Sequence, residues 1–341
     1  MIEFIDKIQN YSVISIIGLA KNVSKTTTLN YLIKELKDKF TLGLTSIGRD
    51  GEEYDVITEL PKPRISVEEG MYIVTTKWCF EKSKIPMELI KNTGFETPLG
   101  EVLILKSLGT GLIELAGPSI NKQLNMVCTE LKKMGCNLIL IDGAFDRKSF
   151  ATPLISDATI ISTGASVSES MQEVVNLTYH VVKLFTLENE KDKQILAIAQ
   201  NILEKDKIGI INKDHSIKLL DLLTSLDSAK EIIRSLDKNS KYIVIKGAIT
   251  DKFLEDIMKS TEKYKDVVFL AEDATKLFLT IKVLEKFQKK KGNLKVITPI
   301  KIIAISINPT SPYGYKFNRI EFLNKLRKKI DLPVYDVVAD E

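Results

Sequence analysis

A lysine and a threonine stand side by side at positions 25 and 26, and together they could hold a phosphate chain and its metal ion. An uncharged apolar run at 13–17 precedes them, as in a strand that is buried on both faces. A run with helical periodicity follows, and its apolar residues fall on one face: Leu29, Leu32, Ile33, Leu36 and Phe40. The loop 18–24 would place backbone N–H groups and the positive end of the helix dipole around one concavity. This order of elements predicts a nucleotide phosphate site.

The loop is predicted to be a P-loop, in which Lys25 reaches the β- and γ-phosphates and the Thr26 hydroxyl ligates Mg²⁺. The residues expected around the phosphates are Gly18, Lys21, Asn22, Val23, Ser24, Lys25, Thr26 and Thr27. The standard spacing has glycine where this chain has Leu19 and Ser24, and Gly18 lies one position early. A Cβ at position 24 hinders close phosphate approach, so we expect hydrolysis to be slow. Serine is the smallest polar replacement for glycine, so we expect binding to persist. The same pattern also fits a buried strand that turns into a helix without a ligand.

Four apolar residues followed by Asp142 form a second signal, typical of a Walker-B strand. An aspartate at the tip of a strand beside the P-loop can hold the water shell of Mg²⁺, and Gly143 would leave room for the γ-phosphate. The two signals support each other because both belong to one sheet. We therefore assign catalytic roles to Lys25 and Asp142. The alternative for the second signal is a buried strand with an acidic end.

Two further acidic positions are candidate metal ligands. Asp50 and Asp55 follow a predicted strand at 41–47, and polar loops after strands are where α/β sheets gather ligand groups. Asp50 is our candidate for a catalytic and metal-binding role, although a solvated turn explains it equally well. Glu114 stands among apolar neighbours, and an isolated buried carboxylate is costly, so it either faces solvent or binds a ligand. The predicted metal ligands are Thr26, Asp50, Glu114 and Asp142.

Composition excludes several classes of function. The 341-residue chain has a net charge of +4 and no basic stripe with interleaved aromatic residues, which argues against nucleic acid. No apolar run reaches the roughly 18 residues of a membrane span, and the first residues do not resemble a signal peptide. Three cysteines without metal-type spacing favour a reducing cytoplasm, and two histidines exclude a multi-histidine metal site.

The rhythm of apolar runs predicts an α/β fold with a mostly parallel sheet flanked by helices, of the P-loop type, and a second α/β half. We place the boundary in a charged segment, giving a nucleotide-binding domain at 1–187 and a C-terminal domain at 188–341. Within these halves we predict a hairpin that pairs 102–105 with 112–116, and a helix at 217–226. The loop 308–315, with two prolines and two tyrosines, fits a binding loop or a rigid surface turn equally well.

With these motifs in place, the stretch from Ile14 to Ser166 resembles the dethiobiotin synthetase and cobyric acid synthase group of P-loop proteins. That group has a glycine one position early, as at Gly18, and then an apolar residue such as Val23 before the Lys-Thr step. The resemblance implies ATP with Mg²⁺, and it implies metal-binding acids after the second and central strands. Asp50 or Asp55, and Asp142 or Glu114, fill those places. A related group with a signature lysine near the start of the loop fits less well, because that lysine would fall at Ala20.

The whole chain also resembles the ATPase component that accompanies cobalamin-dependent amino-acid aminomutases, in the segments 18–22 (Gly-Leu-Ala-Lys-Asn) and 113–119 (Ile-Glu-Leu-Ala-Gly-Pro-Ser). This resemblance implies an ATPase that reactivates its partner enzyme, so an aminomutase or a second reactivase subunit is the expected partner, and a homodimer is a further expectation. Two other functions remain open: a small-molecule ligase of the dethiobiotin synthetase type, and a nucleotide-binding scaffold without turnover.

Overall fold

The structure is a computed structural model that describes residues 2–47, 64–143, 155–205, 207–220 and 229–337. Its strands are β1 (Val13–Gly18), β2 (Leu42–Ser46), β3 (Ile65–Val67), β4 (Tyr72–Thr76), β5 (Met87–Thr97), β6 (Gly100–Ser107), β7 (Gly111–Ile113), β8 (Leu138–Asp142), β9 (Ala158–Gly164), β10 (Ile208–Asn212), β11 (Ile217–Leu220), β12 (Ser240–Ile245), β13 (Ile249–Thr250), β14 (Val268–Ala271), β15 (Leu277–Phe278), β16 (Asn293–Val296), β17 (Ile302–Asn308) and β18 (Val334–Tyr335). Its helices are α1 (Ile2–Ile8), α2 (Lys25–Leu36), α3 (Lys77–Lys82), α4 (Asn121–Lys133), α5 (Met171–Phe185), α6 (Lys193–Glu204), α7 (Ala229–Ser235), α8 (Asp251–Ser260), α9 (Ile281–Lys289) and α10 (Arg319–Lys329).

Strands from both ends of the chain build the large sheet of the first unit. Over the described residues it has nine strands in the order β18-β17-β9-β1-β8-β2-β4-β6-β5. The strands from β18 to β4 run parallel, and β6 and β5 add an antiparallel edge. This arrangement confirms the predicted α/β class with a mostly parallel sheet flanked by helices. The predicted P-loop strand β1 lies in the middle, directly beside β8, so the two motif strands are neighbours.

Alternate residues of the central strands pack on opposite faces of this sheet, as the period of two requires. Ile14 and Ile16 of β1 belong to one apolar cluster and Val13 belongs to another. The first cluster includes the buried face of α2, and the second includes the buried face of α4. Because helices cover both faces, β1 and β8 need uncharged apolar residues almost throughout, and the sequence has them there.

The chain divides into two compact units, one formed by residues 1–179 with 301–341 and the other by residues 180–300. This division differs from the one predicted at 187/188, because the last 41 residues return to the first unit: 301–341 carry β17, which pairs in parallel with β9. A parallel strand pairs with a partner far away in sequence, so the alternation of helices and strands alone does not show which sheet receives it.

The hairpin predicted from 102–105 and 112–116 is wrong. β6 lies between β4 and β5, and β7 instead pairs with β3 as a separate antiparallel ladder. The residues at 93–97 extend β5 to the turn before β6. The tight turn at Gly109 and Gly111 suggested pairing between its flanks, yet Gly111 is the end of the β3–β7 ladder.

The second unit has its own sheet, with the order β11-β10-β12-β14-β16 over the described residues. β10 runs antiparallel to β11 and β12, whereas β12, β14 and β16 are parallel. The helix predicted at 217–226 is wrong at its start, where Ile217–Leu220 form the exposed edge strand β11; residues 221–228 lie outside the described residues. α6 and β10 were not predicted. The α/β character predicted for this part of the chain is confirmed.

Two apolar groups stabilise the second unit. On one side of its sheet, α6 packs Ile195, Ala199 and Ile202 against strand residues such as Val244. A cluster of buried aromatic rings, with centroid separations from 5.5 to 6.3 Å, joins α8, α9 and β14: Phe253, Tyr264, Phe269 and Phe287. In the described part of the chain, no helix is long and apolar enough to span a membrane.

Candidate phosphate-binding site

The loop between β1 and α2 has the backbone shape of an anion-binding cradle. Asn22 has φ 59° and Ser24 has φ 63°, so both adopt the left-handed conformation. α2 begins right-handed at Lys25, immediately after left-handed Ser24, and such an alternation turns successive N–H groups toward one side. Position 24 is where the standard motif has glycine, and the positive φ explains that preference. The structure thus confirms that this chain places a serine in a conformation that favours glycine.

The donors of this loop are available to a ligand. Within the described residues, the backbone N–H groups of 22–27 donate no hydrogen bond to another residue, whereas the N–H of Thr28 bonds to the Ser24 carbonyl at 2.9 Å. These N–H groups lie at the N-terminus of a twelve-residue helix, where the partial positive charge of the helix dipole attracts anions. Thr26 and Thr27 belong to this first turn and are half-buried. The loop therefore offers several neutral donors to one negatively charged group.

Lys25 folds back over the start of the loop. Its Nζ donates to the Ala20 carbonyl at 3.3 Å, and a Cβ added to Gly18 would lie 2.8 Å from its Cδ and Nζ. The early glycine therefore has a physical role, since it leaves space for the lysine side chain. Burial lowers the pKa of Lys25 from its ordinary value of 10.5; the Asp142 carboxylate opposes this shift, and the ammonium group of Lys21 adds to it. Lys25 thus lies close to both a carboxylate and a second cation.

Asp142 reaches this site because β8 is the neighbour of β1. In the parallel ladder Asp142 is level with Ile16 of β1 and with Ser46 of β2, so its half-buried side chain leaves the sheet beside the loop. Gly143 has a structural reason that the sequence did not suggest. A Cβ there would lie 2.4 Å from the Ile16 carbonyl oxygen, and the Gly143 N–H donates to that same oxygen at 2.8 Å. The glycine is needed for close packing of the two strands.

Two side chains that sequence reasoning did not assign hold the loop from the side. Ser166 Oγ donates to the Asn22 carbonyl at 3.0 Å, and Asn308 Nδ2 approaches the same oxygen at 3.4 Å. Ser166 follows β9 and Asn308 ends β17, on the side of β1 away from β8. The sequence feature that could have identified them is that polar residues follow both strands. What the sequence did not show is that β17 joins this sheet.

The loop 308–315, predicted to be either a binding loop or a rigid surface turn, therefore belongs to the surroundings of the candidate phosphate loop. Tyr315 donates from its hydroxyl to the Ala165 carbonyl at 2.8 Å, next to Ser166. Tyr313 is 58% exposed at the tip of the same loop. A buried chain of hydroxyl groups, Thr28–Ser306–Ser162, connects α2 to β17 and β9 below the cradle, with separations of 2.9 and 2.7 Å.

The remaining predicted metal ligands are only partly brought together. Glu114 lies at the same edge of the sheet but over β4, where its carbonyl accepts from the Thr75 hydroxyl at 3.4 Å; β4 is two strands from β8 in the sheet order. Its carboxyl group is half-buried. Asp50 and Asp55 lie outside the described residues. The structure thus groups Thr26, Asp142 and the loop, and it leaves Glu114 farther along the edge.

The donor chemistry at this edge fits Mg²⁺. The described residues contain no group of three or more His, Cys, Asp or Glu side chains arranged around one point. Mg²⁺ does not need such a cage, because proteins usually hold it through one or two carboxylates together with phosphate oxygens and water. Asp142 supplies a carboxylate and Thr26 a hydroxyl, both hard oxygen ligands. These two residues would hold the ion beside the phosphates, where it would neutralise their charge.

Comparison of the chain with models of known protein families, with curated proteins and with solved structures finds no match. The assignment of the site therefore depends on its geometry and on the motif residues.

Proposed function

We propose that this chain binds ATP with Mg²⁺ at the loop 18–27 and couples slow ATP turnover to action on a partner protein. The observation that supports this most directly is the set of unbonded backbone N–H groups at 22–27, at the start of α2 and next to Lys25. Charge-assisted bonds from such donors and from a lysine are the strongest available to a phosphate chain. Asp142 on the adjacent strand would hold the metal ion.

Calorimetry with ATP and Mg²⁺ tests the nucleotide part of this proposal. Lys25→Ala should abolish measurable binding, because the phosphates lose their main cationic partner. Lys34→Ala is the matched control: it removes the same charge from an exposed position farther along α2 and should leave affinity unchanged. Equal ATP affinity in the wild-type protein and the Lys25 variant would exclude the phosphate site.

A second variant separates metal chemistry from binding. Asp142→Asn should reduce Mg²⁺-dependent ATP turnover much more than ATP affinity, because the carboxylate acts through the metal ion. Normal turnover in this variant would make Asp142 a structural residue at the tip of β8. Turnover and ATP affinity should be measured on the same preparation of each protein, so that a difference in the fraction of active molecules does not affect the comparison between the Asp142 variant and the wild-type protein.

The partner part of the proposal is supported by the slow chemistry expected for Ser24 and by the resemblance to the reactivating ATPases. ATP turnover is therefore measured alone and with proteins captured on the chain, and with a cobalamin-dependent aminomutase as the named candidate. We expect turnover to rise with the partner, since a bound nucleotide can switch the grip of such a protein. Turnover that is unchanged by every captured protein, including the aminomutase, would exclude the partner ATPase.

One observation favours the small-molecule ligase as a second candidate. Thr76, the last residue of β4, is fully buried, and its hydroxyl has no hydrogen-bond partner among the described residues. It ends β4, directly after Thr75, at the carboxyl edge of the sheet, where a polar substrate would satisfy it. If metabolites from a size-filtered extract stimulate turnover and Thr76→Val removes that stimulation, the ligase is the better description. Stimulation by the protein fraction alone favours the partner ATPase.

A further inference from the structure

The peptide group between Asn22 and Val23 is held from one side. Its carbonyl oxygen accepts from Ser166 Oγ at 3.0 Å and from Asn308 Nδ2 at 3.4 Å. Asn308 is itself oriented, because its Oδ1 accepts the backbone N–H of Thr310 at 2.9 Å, which leaves Nδ2 as the atom that faces the loop. Two donors from the ends of β9 and β17 thus converge on a single carbonyl group.

The orientation of that carbonyl determines the direction of a neighbouring donor. A trans peptide group is planar, with the C=O of one residue and the N–H of the next pointing in opposite directions. The described peptide bonds are all trans. When the Asn22 carbonyl points toward Ser166 and Asn308, the Val23 N–H must point away from them. That N–H has no acceptor among the described residues.

The loop needs this support because its conformation is not the one its residues prefer. Asn22 and Ser24 flank the Val23 peptide with positive φ values, which cost free energy in L-residues and persist only where surrounding contacts impose them. The Val23 side chain is fully buried against Gly18, so the residue is anchored on one side only. The two hydrogen bonds to the Asn22 carbonyl supply a second anchor.

We infer that Ser166 and Asn308 are positioning residues, which aim the Val23 N–H at a phosphate oxygen by holding the Asn22 carbonyl. The inference deepens the proposed function and rests on it. The ligand chemistry is a di- or triphosphate chain, and neither residue needs to touch the base or the sugar. Both donors are uncharged, so their contribution does not depend on pH, in contrast with that of Lys25.

Tripolyphosphate with Mg²⁺ is the probe, because it has no base or ribose that Asn308 could contact directly. Ser166→Ala removes one donor. Asn308→Ser removes the other and retains an oxygen that can accept the Thr310 N–H. Each single variant should lose about threefold in affinity and the double variant about tenfold, since each neutral hydrogen bond makes only a modest net contribution and the two act on the same carbonyl group. Ser166→Thr keeps the hydroxyl and should bind as the wild-type protein does.

A spectroscopic measurement distinguishes positioning from a general loss of stability. In the wild-type protein, the amide resonance of Val23 should shift when tripolyphosphate binds, and this shift should be absent or much smaller in the double variant. Wild-type affinity in the double variant, with binding lost in Lys25→Ala, would overturn this inference and leave the proposed function intact. Failure of the wild-type protein to bind either tripolyphosphate or ATP would overturn both.

Discussion

Ser24→Gly is the substitution that tests the geometry of the loop most directly. Ser24 precedes α2 with φ 63° and ψ 36°, in the left-handed region, and its side chain makes no hydrogen bond to the helix N-terminus. The Ser24 carbonyl accepts from both the N–H and the hydroxyl of Thr28, and these bonds do not depend on the side chain at position 24. Glycine therefore removes a steric penalty without removing a contact.

The expected gain is the difference between two terms. A left-handed L-residue costs roughly 1–2 kcal/mol relative to its preferred conformation. Glycine offsets about 0.4–1 kcal/mol of this gain in stability, because it gives the unfolded chain more conformational freedom. The free energy of unfolding should therefore increase by about 0.5–1 kcal/mol. Ser24→Ala keeps the Cβ and loses only an unbonded hydroxyl, so its stability should stay within about 0.5 kcal/mol of wild type.

Urea denaturation followed by tryptophan fluorescence is a suitable assay. The chain has one tryptophan, Trp78, and it belongs to the same compact unit as the loop, so its signal reports the unfolding of that unit. A urea midpoint that rises in Ser24→Gly and stays constant in Ser24→Ala supports the left-handed backbone conformation of Ser24. A loss of stability in Ser24→Gly would refute this reasoning. A loss of more than about 1 kcal/mol in Ser24→Ala would also refute it, because it would indicate that the Ser24 hydroxyl caps the helix.

The same pair of variants tests why the chain has serine at this position. If the Cβ of Ser24 slows hydrolysis by hindering phosphate approach, Ser24→Gly should raise the ATP turnover rate while Ser24→Ala leaves it low. Equal turnover in the two variants would show that the Cβ at this position does not limit the reaction.

Three further outcomes are expected. Gly18→Ala should weaken ATP binding by about tenfold and lower the melting temperature, because its Cβ would displace the flexible end of Lys25 and press against the buried Val23; calorimetry and a thermal melt measure the two effects. A bound polyphosphate favours the charged form of Lys25, so as pH rises above the lowered pKa of the free protein binding should take up a proton and affinity should fall; Lys25→Arg should abolish the uptake, measured by calorimetry in two buffers. Burial raises the pKa of Cys128 and Cys136 to about 12, so iodoacetamide at pH 8 should label them only in denaturant, as mass spectrometry would show.

The position and shape of the candidate phosphate loop could be predicted because its elements are local. The apolar run of β1, the loop with Lys25 and Thr26, and the amphipathic α2 are contiguous, so their order in the chain already determines their order in space. Asp142 could be predicted for a similar reason, since an apolar run that ends in an acid places the acid at the tip of a buried strand. The left-handed conformation of Ser24 follows from the motif as well, because that position normally has glycine.

The other parts of the site depend on contacts between residues that are far apart in sequence. Asn308 bonds to Asn22 across 286 positions, and this contact exists only because β17 pairs with β9 after the chain has formed an entire second unit. Apolar patterning predicts a strand at 301–306, but it does not show which sheet receives that strand or which strand lies beside it. The failed pairing of 102–105 with 112–116 has the same cause, since either flank of a turn can find its partner elsewhere.

The sequence by itself thus determined the elements of the candidate phosphate site, because the backbone donors, Lys25 and Thr26 all come from one continuous segment. Only the tertiary structure decided which side chains hold that segment in its strained shape. Ser166 and Asn308 contact the Asn22 carbonyl because β9 and β17 lie beside β1 in the sheet order. That order is set by the packing of whole helices and strands, so the residue types at 22, 166 and 308 do not reveal that they meet.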